Sequence, residues 1–266
     1  MPIYTISRRP DEISDLIHWF DAGDISTINS GSLDPYLPTV LKLKDKVSNM
    51  TLLADTHGDP PTLITSSVLN GNTGIYFSGQ PGKQALSGFF TDTSFNTKKT
   101  IFFVFYTKLD IPNYCCYKFT ILNPGNRLLE GVVGGWPNIS LSTKDMELNY
   151  LETTEFSTTL PTIEFGEISA NEVHIVSIST DDIVKSTLID GDSKYLYNDP
   201  NNIPLVTGSK LILGDVTDVS YTPNITIKPF ANVEDNIFCE MLIYDRALIG
   251  EEVNKVNQYL KTKWIG

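Results

Sequence analysis

The chain has 266 residues, a formal net charge of -12 at pH 7 and a sequence pI of about 4.6. A surface this acidic repels phosphate backbones and anionic bilayers, and with no basic stripe in the sequence it excludes nucleic acid as a partner. No apolar run approaches the length of a membrane span, which argues against membrane insertion.

The opening stretch MPIYTISRRPDEISDL has no apolar core of the kind a secretory signal needs. Residues 1–9 read as an N-terminal arm, with Arg8-Arg9 a solvated pair. Pro10 to Ile17 predicts a short helix with an acidic start, followed by His18-Trp19-Phe20-Asp21-Ala22-Gly23-Asp24. Ser30 to Pro61 is rich in turn residues around Val40–Lys46. Ile75-Tyr76-Phe77 predicts a strand and Leu86-Ser87-Gly88 a small-residue turn. Thr100 to Tyr106, Thr-Ile-Phe-Phe-Val-Phe-Tyr, is the most hydrophobic run; bounded by polar turns, it predicts a strand buried on both faces.

Tyr117–Leu122 and Leu128–Val133 predict further strands, the second ending at the loop Gly134-Gly135-Trp136-Pro137. Ser140 to Pro161 is polar and poorly patterned, a long loop or an added hairpin. Glu172–Thr180 is a strand. Ser186–Ile189 and Lys194–Asn198 flank Asp190-Gly191, a hairpin with the turn residues such a connection requires. Lys210–Gly214 is a strand, as is Phe238–Tyr244. Asp245-Arg246 then breaks the alternation, and a closing helix follows with Glu251 and Glu252 in its first turn. Val253, Val256, Leu260 and Trp264 lie on one side of that helix, and Lys255, Lys261 and Lys263 sit near its far end.

The three cysteines are Cys115, Cys116 and Cys239. Vicinal cysteines rarely bridge one another and an odd number leaves one over, so a disulfide framework is not expected and folding in a reducing compartment is.

Two stretches carry a resemblance. FCEMLIYDRALIGEEVNKVNQYLKTKW, through Glu240, Tyr244, Asp245, Arg246, Leu248, Glu252, Tyr259, Leu260, Lys263 and Trp264, resembles the end of concanavalin A-like (LamG-type) lectin/glucanase domains found in bacteriophage and bacterial proteins. LIHWFDAGDIST, through Trp19, Asp21, Ala22 and Asp24, is similar to the opening of the same family. Asp45, Lys46 and Ser48 match an intervening segment that lacks its usual tryptophan. The resemblance implies an all-β fold, an antiparallel β-sandwich of the jelly-roll type with short N-terminal and C-terminal helices, as one domain over residues 10–266. It also implies a non-enzymatic virion component of a bacteriophage, such as a tail-fibre, baseplate or capsid-decoration protein. That protein would be made in the bacterial cytoplasm, present in several copies, and in contact with other virion proteins and a cell-surface glycan. A glucanase-type hydrolase and a free-standing glycan-binding adhesin are the alternatives.

The residues themselves weigh against catalysis. Retaining glycosidases need two carboxyl groups about 5 Å apart; the nearest strings, Asp145-Met-Glu147 and Glu164-Phe-Gly-Glu167, lie in weakly patterned segments. There is no Gly-x-Ser-x-Gly, phosphate loop or His-Glu-x-x-His. His18 and His174 lie within apolar patterns and read as packed, and His57 lies in a polar turn. No cofactor is called for. Calcium is the one candidate, at Asp21 and Asp24 or at Asp55 and Asp59. The plainer reading has Asp21 and Asp24 bonding backbone amides, since no dense Asp-x-Asp-x-Asp-Gly loop is present. For a sugar, Trp136 beside Asn138 offers an aromatic face and an amide in a loop, with Tyr195 and Tyr197, and also Tyr114, as further candidates. Trp19 and Trp264 read as core.

Overall fold

The computed structural model describes residues 9–31, 38–54, 59–78, 84–91, 98–107, 115–122, 139–144, 147–152, 163–181, 184–198, 209–214 and 236–266. The strands are β1 (Leu16–Asp21), β2 (Ile28–Gly31), β3 (Thr39–Lys44), β4 (Thr51–Ala54), β5 (Thr62–Thr65), β6 (Thr73–Phe77), β7 (Ala85–Phe89), β8 (Lys99–Thr107), β9 (Cys115–Leu122), β10 (Ile139–Lys144), β11 (Glu147–Glu152) and β12 (Ile163–Glu167). They continue with β13 (Glu172–Asp181), β14 (Val184–Ile189), β15 (Asp192–Asn198), β16 (Lys210–Gly214) and β17 (Asn236–Tyr244), and the chain closes with the helix α1 (Gly250–Trp264).

Every described pairing is antiparallel. In the first layer β17 holds β1 and β6 along one edge and β8 along the other, and β13, β14 and β15 extend it outward. In the second layer the order is β3, β4, β7, β16, β9, β10, β11, β12, with β2 on the other side of β3. The layers are joined where β3 also meets β5, which pairs with β6.

Two apolar clusters hold this arrangement. Phe103, Phe105, Phe119, Phe238, Met241, Leu211 and Leu213 meet between the layers. Phe102, Val104, Tyr106, Leu242 and Tyr244 point the other way and are covered by Val253, Val256, Leu260 and Trp264 of α1. All nine residues of β8 and all nine of β17 are therefore buried. A strand with a sheet on one face and a helix on the other reads as a continuous apolar run, and so does a strand of a parallel sheet. Only the pairings distinguish the two.

Two local expectations change, and one left between alternatives is resolved. Only Pro10–Glu12 is helical, as a 3-10 turn; Asp15 takes a left-handed φ of 68°, and Leu16 onward pairs with β17. Leu16-Ile17-His18 is thus drawn into the sheet because β17 offers it a partner strand. Leu86-Ser87-Gly88 lies inside β7 rather than in a turn. Its glycine serves close approach: a Cβ on Gly88 would sit 2.5 Å from the Thr51 carbonyl oxygen. The polar stretch after Ser140 forms the β10–β11 hairpin. Asp190 and Gly191 turn the β14–β15 hairpin with φ of 54° and 90°, as a type I′ connection requires. The expected strand Leu128–Val133 lies outside the described residues.

Gly88→Ala forces β7 away from β4 and is expected to cost roughly 1–3 kcal/mol of unfolding free energy. Gly250→Ala, whose Cβ meets nothing within 4 Å, should leave stability within about 0.5 kcal/mol. Urea denaturation of the two variants checks the contrast.

Candidate functional site

The described polar groups concentrate where β1, β17 and α1 meet. Glu240 points from β17 toward α1 and is fully buried. One carboxylate oxygen accepts the indole N–H of Trp19 at 2.6 Å; the other accepts the indole N–H of Trp264 at 2.6 Å and the Lys263 ammonium at 2.8 Å. The same ammonium donates to Asp21, whose other oxygen accepts from Lys46 at 3.0 Å. Lys46 also pairs with Asp24 at 2.9 Å, and its Nζ lies 4.2 Å from the centre of the Trp19 ring. Burial, reinforced by the charge of Asp21, pushes the Glu240 carboxyl up to about 7. The hydrogen bond from Ser26 and the ion pair with Lys46 hold Asp24 down at about 2.

Asp21 and Asp24 thus stand side by side. Asp21 also accepts the Gly23 amide at 3.0 Å, and Asp24 accepts the amide and hydroxyl of Ser26. The oxygens a calcium ion would use already face two ammonium groups and three further donors. A divalent cation here would have to displace Lys46 and Lys263, and among the described residues no group of three or more His, Cys, Asp or Glu side chains is gathered for a metal.

A second ring of the same structure surrounds Arg246. Its guanidinium donates to both oxygens of Glu252, at 2.7 and 2.8 Å, and to Asp15 at 2.9 Å. Glu252 in turn accepts the Ile249 amide, closing the first turn of α1, so the helix begins at Gly250 rather than at Ala247. At its other end Asn70 and Asn72 donate to the carbonyls of Thr262 and Lys263; a helix C-terminus leaves such carbonyls without intrahelical partners.

His18, Asp45 and Ser48 combine the residue types of a hydrolytic triad. Their geometry differs from one. Asp45 and Ser48 both approach Nδ1 of His18, at 2.5 and 3.3 Å, whereas a triad places its nucleophile on Nε2. Asp45 also accepts the amides of Trp19 and Val47. Against the effect of its burial, the bonds from His18 and Ser48 lower its carboxyl pKa. The group pins the β3–β4 turn to β1. His174, likewise buried, is held between Asp190 at 3.0 Å and the Ser169 carbonyl at 2.8 Å.

Of the expected sugar contacts, Trp136 and Asn138 lie outside the described residues, as do Tyr114, Asp55 and His57. Tyr195 and Tyr197 lie in β15, opposite Thr187 and Lys185 of β14. Two acidic residues that are separate in sequence are partners in the backbone register: Glu147 of β11 stands opposite Glu167 of β12. Their positions became apparent only through the pairing, since each strand is too short to announce itself.

No family model matches the sequence, and no curated protein does. Solved structures do match. The binding domain of Paraclostridial Mosquitocidal Protein 1 superposes with a TM-score of 0.60 at 14% identity, over 96% of this chain and 53% of that one. The ligand-binding domain of botulinum neurotoxin serotype D, solved with N-acetylneuraminic acid, gives 0.60 at 10% identity, over 94% and 52%. Trypanosoma rangeli sialidase gives 0.55 at 14%, over 96% and 34%. The chain therefore spans about half the length of the toxin domains and a third of the sialidase. The fold is an antiparallel β-sandwich.

Glu240→Ala leaves two buried indole N–H groups without their acceptor and takes one of its two carboxylates from the Lys263 ammonium, and should lower stability by about 3–5 kcal/mol, measured by guanidinium denaturation. Glu252 gives a pH test. Arg246 holds its carboxyl at about 2, below the usual 4.5, so its contribution is present above pH 4.5 and lost as the pH falls through 2. The stability gap between the wild type and Glu252→Gln should be widest at neutral pH and close toward pH 2.

Proposed function

We propose that this chain is a non-enzymatic, lectin-like module of a bacteriophage virion, carried on the particle in several copies and used for attachment to other virion proteins and to a cell-surface glycan. The observation that carries the glycan part is the superposition of nearly the whole chain on the binding domain of a mosquitocidal toxin and on a neurotoxin domain solved with a bound sugar acid. The virion part rests on the resemblance of the two ends to phage-borne LamG-type domains. The buried charges support a binding role as well: Asp21, Glu240, Lys46 and Lys263 neutralise one another inside the fold and offer nothing to a substrate. Trp136 and Asn138, with Tyr195 and Tyr197, are the residues proposed to meet the sugar.

Glycan-array binding by the purified chain, reduced at least tenfold by Trp136→Ala, is the expected result; an array with no signal for the wild type would refute the lectin reading. Mass spectrometry of purified particles tests the virion assignment separately.

A second reading has one specific observation in its favour. The Glu147–Glu167 register sets two carboxyl-bearing residues opposite one another, about 5 Å apart at their Cα atoms, and a pair of carboxyl groups is what a retaining glycosidase requires. Release of reducing sugar from polysaccharides, abolished by Glu167→Gln, would replace the binding role with glucanase-type hydrolysis.

A further inference from the structure

Charge on this molecule is unevenly spread. The chain carries 32 acidic and 20 basic residues, yet β2, β3, β4, β7 and β16 contain no Asp or Glu and three lysines, Lys42, Lys44 and Lys210. These five strands are consecutive in the second layer.

The register arranges their outward residues in rows. Asn29 stands opposite Lys42, Lys42 opposite Leu53, and Leu53 opposite Ser87. In the next row Lys44 stands opposite Thr51, and Phe89 opposite Lys210. The Leu53–Ser87 register carried on by two residues brings Thr51 beside Phe89. Asn29, Lys42, Lys44, Leu53 and Phe89 are all exposed, Leu53 by 49% and the Phe89 ring by 59%, while Leu43, Leu52, Leu86 and Gly88 face the interior. The surface ends at β16, where Ile212, opposite Ser87, is buried.

This surface has three chemical parts. An aromatic ring and an aliphatic side chain are exposed on the sheet. An amide and two hydroxyl-bearing residues stand beside them. Lys42 and Lys44 both lie on β3, one strand from Leu53 and two from Phe89, roughly 5 and 10 Å at the usual interstrand spacing. Lys46 and Lys263 are bound to carboxylates; Lys42 and Lys44 make no ion pair among the described residues, and solvent reaches both.

We propose that this sheet face is a second binding site, built from residues other than Trp136, Asn138, Tyr195 and Tyr197, and that its ligand is an acidic polysaccharide, a sugar chain bearing carboxylates. The apolar side of a pyranose covers Phe89 and Leu53, the hydroxyls meet Asn29, Thr51 and Ser87, and Lys42 and Lys44 meet the carboxylates. A neutral sugar has no use for the two lysines, and the five strands hold no acidic side chain to repel a carboxylate. The site deepens the lectin reading and rests on it only for the general class of ligand.

The test is titration calorimetry of the intact chain with three polymers: polysialic acid, dextran and poly-glutamate. The wild type is expected to bind polysialic acid, more weakly as salt is raised, and to bind dextran and poly-glutamate at least about tenfold more weakly. Phe89→Ala and the double variant Lys42→Glu with Lys44→Glu, all at exposed positions, should each lose about tenfold in affinity with unchanged thermal melting, while Trp136→Ala keeps the binding. Absence of polysialic acid binding by the wild type overturns the proposal, as does equal binding by the face variants. Equal affinity for poly-glutamate also overturns it, since the face would then read charge alone. If Trp136→Ala loses glycan and the face variants keep it, the loop reading stands and this one falls.

Discussion

One buried carboxylate organises the molecule. Glu240 lies with no solvent contact between the sheet and the helix, and every group bonded to it comes from another element: Trp19 from β1, Lys263 and Trp264 from α1. An ionised group in such a place is costly unless paired and hydrogen-bonded, so the network specifies position as well as charge. The helix cannot slide by a turn along the sheet without losing the ammonium and the indole together. The resemblance motifs at the two ends are therefore two halves of one structural device. Trp19, Asp21 and Asp24 supply one half, Glu240, Lys263 and Trp264 the other, and Lys46 from the middle of the chain completes it.

This placement bears on function. Motif residues with striking chemistry, such as carboxylates, lysines and tryptophans, are the ones a reader of the sequence first assigns to a ligand. Here they hold the fold. The same holds for His18, Asp45 and Ser48, whose residue types suggest hydrolysis and whose geometry fastens a turn. On the proposed function, ligand chemistry falls to groups without such duties, on loops and on the outer sheet face, where binding can vary without disturbing the core.

Strands were legible in the sequence because β8, β13 and β17 are long and strongly patterned, and one hairpin because Asp190-Gly191 has the residues its turn demands; their layered antiparallel arrangement was implied by the resemblance of the two ends. Boundaries were harder. Leu16 and Ile17 look helical from their acidic neighbours and join a strand only because β17, more than 200 residues away, pairs with it. Gly88 looks like a turn residue and is a point of contact between strands. Lys263 looks like a cation suited to a helix end, and its two carboxylate partners lie 23 and 242 residues away. Local signals cannot reveal such partners. For the sugar site the sequence offered residue types at plausible places, and the basic sheet face was invisible in it, because Lys42, Leu53 and Phe89 become neighbours only through strand order.

The pairing of β1 with β17 also sets a schedule for folding. Contacts between the start and finish of a chain carry a high contact order and form late. During synthesis β1, β8 and β13 emerge well before β17 and α1, so Phe102, Val104 and Ile175 have no cover until Trp264 has left the ribosome. A nascent chain of this design waits with a sticky open flank, and chaperones or slow translation of the last segment would guard it from aggregation.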